Sequence, residues 1–185
     1  TRSFRDWQMT QNANEYFPRN ASSWDWRGGS FTRLAAECNQ HIDGLQLMLV
    51  DSSKSAIFVA RTVTRNFSFV STHTTSSAGF LKSYDGPPIT LFYSDLGDPV
   101  GGFHLHLEEA EILTRRRNIL LARDAYVLID NVRNMGPFQK KSIKEYGEPT
   151  HAYGNSRDSI PYFLEHGWIV LFSGYQWILK APPMS

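Results

Sequence analysis

Short apolar runs broken by turn-forming residues are what most constrain the fold of this chain. Ala56-Ile57-Phe58-Val59-Ala60-Arg61, Ile89 to Tyr93, Ala125-Tyr126-Val127-Leu128-Ile129, Trp168 to Phe172 and Tyr175 to Leu179 all have strand length. Between them stand Asp51-Ser52-Ser53-Lys54, Asp85-Gly86-Pro87-Pro88, Leu96-Gly97-Asp98-Pro99 and Ser173-Gly174. Apolar runs of four to eight residues bounded by such signals read as buried strands. No run approaches eighteen residues, so a membrane-spanning helix is not expected.

Other segments complete the pattern. Ser30 is a suitable N-cap, and Phe31, Leu34, Ala35, Cys38, Ile42 and Leu45 recur at helical spacing. That helix is expected to end by Gly44 or to run on through Leu45 to Val50. Asn66 to Thr75 reads as a strand with Phe67, Phe69 and Ser71 on one face, and Ser76 to Tyr84 as a short helix. Phe103 to Leu113 reads as extended. The first 29 residues read as loops with one short helix around Asp6 to Tyr16. The expectation is an α+β chain with a mixed β-sheet core of two packed sheets and flanking helices, in a single domain over 1–185.

Composition narrows function less than fold. A net charge of +1 gives no long-range attraction for nucleic acid or an anionic membrane. Cys38 is the single cysteine, so no intrachain disulfide forms, and a small buried hydrophobe is its expected role. Aromatic residues make up 14% of the chain, enough to build a core and line a pocket or an interface. Asn20-Ala21-Ser22 and Asn66-Phe67-Ser68 match the glycosylation sequon, and the compartment stays open.

The chemistry-bearing candidate is Glu109-Ala110-Glu111. On an extended segment two carboxylates at i and i+2 share a face, and their repulsion lets one hold its proton longer. Such a pair suits a site where one acid stabilises positive charge and the other handles a proton.

In order along the chain, Phe58-Val59-Ala60-Arg61, Phe69-Val70-Ser71-Thr72, Ile89 to Tyr93 with Gly97-Asp98-Pro99, and Glu109-Ala110-Glu111 resemble the arginine–serine–glutamate class of mono-ADP-ribosyltransferases. The resemblance covers about residues 34–133; His73 stands where that family has its last Ser of Ser-Thr-Ser. It implies an ADP-ribosyltransferase-like fold with NAD as substrate, and transfer of ADP-ribose to a protein arginine or to water. By the same resemblance Glu111 would steady the oxocarbenium-like ribose. Glu109 would assist the acceptor, Arg61 (or Arg27, or more remotely Arg5) would grip NAD phosphates, Ser71 would orient Glu111, and Thr72 would join Arg61 and Ser71 in binding NAD. Phe103, Tyr84 or Phe80 would stack on nicotinamide or shape the acceptor loop. A secreted or delivered, toxin-like effector would fit that activity.

Two rival readings stand beside it. His104, His106 and Glu111 have the spacing of a cupin metal site, with His151 and Asn155 as a weak second half. On a straight strand the histidines face away from the glutamates, so a bulge would be required. The other rival is a non-enzymatic β-rich interaction, coat or effector protein with a solvated acidic pair.

Overall fold

The structure, a computed structural model, describes residues 30–95, 103–130, 132, 156–174 and 176–183. The chain divides into two compact units, 1–80 and 81–185, with the boundary inside a helix. Readings that fell on Asp6 to Tyr16, Arg5, Arg27, the Leu96 to Pro99 turn, His151 and Asn155 lie outside the described residues.

In the first unit α1 (Ser30–Asn39) leads to β1 (Leu47–Asp51), α2 (Lys54–Thr64), β2 (Val70–Thr74) and the start of α3 (Ser77–Ser83). Strands β1 and β2 pair in parallel, Leu47 opposite Val70 through Asp51 opposite Thr74. A parallel pair needs a crossover, and α2 supplies it. Helix α2 is capped by Ser53, whose Oγ accepts from Ala56 N at 3.3 Å. It buries Ala56, Ile57, Val59, Ala60 and Thr64, a three-and-four spacing that presents one stripe.

Two expectations are corrected here. The apolar run ending at Arg61 is a helix, because Asp51-Ser52-Ser53 is a strand end followed by an N-cap and not a plain turn into a strand. The helix from Ser30 ends by Gly44, the first of its two expected courses: it stops at Asn39, and Gly44 adopts φ +72° before the chain turns into β1. Cys38 lies on α1 but is exposed, so the buried role fails.

The second unit holds the remainder of α3, then β3 (Ile89–Ser94), α4 (Phe103–Arg115), α5 (Arg117–Leu120), β4 (Leu121–Ile129), α6 (Ser159–Glu165), β5 (Ile169–Ser173) and β6 (Trp177–Lys180). Its sheet runs β3-β4-β6-β5, with β3 and β4 parallel and β6 antiparallel to both its neighbours. Strand β4 alternates, burying Leu121, Ala125, Val127 and Ile129. With Leu113, Leu120, Ile160, Phe163 and Leu179 these side chains form the core of this unit. Strand β5 is different: it has only β6 beside it among the described residues, and all five of its residues are exposed, Leu171 at 53% and Phe172 at 54%.

Strands alternate with helices up to β4, giving a mixed α/β fold with a mixed sheet and flanking helices. That much of the expected architecture holds. The strands expected from Ile89, Ala125 and Trp168 and the short helix after Ser76 are found within a few residues of where the sequence places them, and the last expected strand is found at Trp177–Lys180. The extended segment from Phe103 is not: it is α4. Its buried stripe, His106, Glu109, Ala110 and Leu113, follows i, i+3, i+4, i+7. Two of those four are polar, which disguised the helical period behind the His-Leu alternation preceding it.

Candidate functional site

In an open α/β sheet, ligands are taken up outside the carboxyl ends of the parallel strands. Both units have such an end, and each is built from a strand carbonyl tied to the residue just beyond the neighbouring strand.

In the first unit Thr75 N donates to Asp51 O at 3.1 Å, joining the ends of β1 and β2. Asp51 closes β1 and is half-buried. Its Oδ1 accepts from Ser53 N at 2.7 Å, which orients the carboxylate over the first turn of α2. The Ser53 and Ser55 hydroxyls lie 2.9 Å apart beside it. The result is a fixed carboxylate at a strand end, the chemistry needed to accept hydrogen bonds from a sugar diol. Sequence reading passed over Asp51 as part of a turn. The signal was present: an acid directly after the apolar run Leu47 to Val50, then a serine helix cap.

In the second unit Asp130 N donates to Ser94 O at 2.9 Å, joining the ends of β3 and β4. Tyr93 OH donates to Asp130 Oδ2 at 2.7 Å. Ser94 Oγ donates to Glu109 Oε2 at 2.6 Å and lies 3.1 Å from His106 Nδ1. Ser94, His106 and Glu109 are 4%, 2% and 3% exposed, so water does not compete for these bonds. Phe92, Leu113, Val127, Ile129, Ser159 and Phe163 pack around them.

The expected site residues fall as follows. Arg61 is exposed on the last turn of α2, and its Nε and Nη2 donate to Thr72 Oγ1 at 3.3 and 3.2 Å. Ser71 is exposed on β2 with Oγ 3.0 Å from His73 Nε2, while His73 packs on Phe80 with ring centroids 4.9 Å apart. These residues belong to the first unit; Glu109, Glu111 and Phe103 belong to the second, on α4. Tyr84 donates to Pro87 O at 2.7 Å, and burial followed by the Asp85 carboxylate raises its phenol above the usual value.

The acidic pair does not share a face. On a helix i and i+2 point about 200° apart, so Glu109 turns into the core. Glu111 pairs instead with Arg115 one turn on, at 3.2 Å. The same helix removes the cupin reading. His104 is exposed, His106 is buried on Ser94, and no group of three metal-ligating side chains occurs among the described residues. No helix among the described residues is long and apolar enough to cross a membrane.

No family model and no curated protein matches the chain. Solved structures do. A Corynebacterium glutamicum protein aligns with 75% of this chain and 61% of its own, at TM-score 0.53 and 13% identity. Aeropyrum pernix fibrillarin, with natively bound S-adenosyl-L-methionine, aligns at TM-score 0.52 and 17% identity, over 80% of this chain and 62% of its own. The N-methyltransferase NodS from Bradyrhizobium japonicum, in complex with S-adenosyl-L-homocysteine, aligns at 0.51 and 16%, over 84% and 74%. The chain thus spans about three fifths of the length of the first two.

That likeness overturns the ADP-ribosyltransferase expectation, and NAD, ADP-ribose transfer, NAD hydrolysis and the toxin-like effector lapse with it. The β-rich binder fails as well, since helices alternate with the strands up to β4. The fold of this chain is similar to those of fibrillarin and NodS.

Proposed function

We propose that this chain carries the cofactor-binding part of a methyltransferase that uses S-adenosylmethionine. The observation behind this reading is Asp51, a half-buried carboxylate oriented by Ser53 N at the carboxyl end of a parallel strand. It sits in a fold similar to that of fibrillarin bound to S-adenosyl-L-methionine and NodS bound to S-adenosyl-L-homocysteine. In dinucleotide-binding α/β folds an acid about 20 residues beyond a glycine-rich turn accepts from the ribose hydroxyls. Here Gly28-Gly29 precedes α1, and Asp51 lies 22 residues beyond Gly29 (51 minus 29).

When bound, S-adenosylmethionine supplies a methyl group on a sulfonium, which passes to a nucleophile while the S–CH3 bonding pair stays on sulfur. Asp51 would hold the ribose through its carboxylate, with Ser53 N keeping that carboxylate oriented. A carboxylate fixed in advance needs no reorganisation as the ligand arrives.

Titration calorimetry with S-adenosylmethionine and S-adenosylhomocysteine tests the reading. Both are expected to bind, and Asp51→Ala to weaken both by at least about tenfold, or about 1.4 kcal/mol. Absence of binding of either to the wild-type chain rejects it.

A further inference from the structure

The second unit contains three buried polar side chains that the proposed function does not use. Ser94 ends β3; His106 and Glu109 stand one turn apart on the inward stripe of α4. A hydroxyl has one proton to give. Ser94 Oγ spends it on Glu109 Oε2, at a length typical of a hydroxyl donating to a carboxylate. Toward His106, 3.1 Å away, the same oxygen then has only lone pairs to offer. The imidazole proton must therefore lie on Nδ1.

We infer that His106 Nδ1–H, Ser94 Oγ–H and the Glu109 carboxylate form a one-way hydrogen-bond relay. In it His106 and Glu109 act as positioning residues that clamp α4 onto the carboxyl end of β3. Ser94 is the hub: its side chain holds two turns of α4, and its carbonyl takes the amide of Asp130 at the end of β4. Tyr93 binds the Asp130 carboxylate from the preceding residue. One residue thus fixes the ends of two adjacent parallel strands, the place where such a sheet receives ligands. The inference is independent of which ligand that is.

The relay predicts a tautomer, and nitrogen NMR of His106 in labelled protein reads it. In the wild type Nδ1 is expected to carry a proton. Glu109→Gln keeps a carbonyl acceptor of the same size, so Nδ1 stays protonated. Glu109→Leu removes the acceptor and frees the Ser94 proton, which then turns toward His106 and moves the imidazole proton to Nε2. Packing alone would not reverse a tautomer while the ring stays where it is. Wild-type His106 protonated only on Nε2, or Glu109→Leu that leaves Nδ1 protonated, overturns the relay.

Clamping has its own readout, amide hydrogen exchange at Asp130 compared with Ala181, whose amide donates to Ala125 O at 3.0 Å toward the other end of β4. Ser94→Ala is expected to speed Asp130 exchange by at least about tenfold relative to Ala181. An unchanged ratio overturns the clamp. If Ser94→Ala does not fold, Glu109→Leu takes its place in the exchange measurement and the same two results decide.

Discussion

The carboxyl ends of β1 and β3 solve one backbone problem identically and differ in everything else. Each gives its last carbonyl to the amide of the residue just past its parallel neighbour, Thr75 in one case and Asp130 in the other. Beyond that, β1 ends on a half-buried carboxylate oriented by a backbone amide, and β3 on a hydroxyl buried among side chains. The first arrangement keeps charge within reach of solvent and of a ligand. The second turns its polar groups inward, to hold a helix. The comparison shows that a strand-end acid and a buried helical acid, close to indistinguishable as letters, have opposite uses.

Substitutions can break this contrast, starting with the largest effect. Leu113→Ala, in the layer around Ser94, removes a side chain with 0% exposure and is expected to cost about 2–5 kcal/mol in denaturant unfolding. Ser94→Ala loses a bond to a buried carboxylate and is expected to cost about 1.5–3 kcal/mol in the same measurement. If Asp51→Ala proves equally destabilising, the two strand ends are alike and the contrast fails. The expectation for Asp51→Ala is a loss of S-adenosylhomocysteine affinity of about tenfold with a smaller change in stability, up to about 1 kcal/mol.

The smallest effect lies at the surface. Lys180 Nζ is 2.9 Å from Asp124 Oδ1, and that hydrogen bond first, then the lysine charge, holds the Asp124 carboxyl below its usual value. A depressed carboxylate stabilises the fold above its unfolded pKa and loses that contribution as pH falls through the folded one. Melting temperatures of wild type and Asp124→Asn are therefore expected to differ slightly near neutral pH and to converge in acid. A gap that persists in acid would place the effect outside titration.

How much of this was legible depended on which face of each element carried apolar side chains. Strands β3, β4, β5 and β6 stand out as Val-, Ile- and Leu-rich runs between turn residues, and the short helix after Ser76 is bounded by turn signals. Helix α2 hid because Ala56 to Ala60 is uniformly apolar, and a short run of that kind suits a helix as well as a strand. The deciding mark was Ser53, which caps a helix. Helix α4 hid because half its buried stripe is His106 and Glu109, so hydrophobic periodicity was reporting on the wrong face. The site failed for the same reason: once Glu109 and Glu111 sit on a helix they part, and the ordered set of motifs no longer describes one sheet. Asp51 could have been found from sequence, whereas the hydroxyl bridge from Ser94 to α4 could not, since it depends on tertiary approach across 12 and 15 residues.

Among the described residues β5 forms an open rim, and this has a practical consequence. Ile169 to Phe172 contains neither charge nor proline, the devices by which outermost strands usually repel unwanted additions. Sulfate or phosphate at high concentration, which strengthens apolar association, will therefore bring the protein out of solution sooner than its modest net charge alone would suggest. Handling it at low protein concentration without such salts keeps that margin apart.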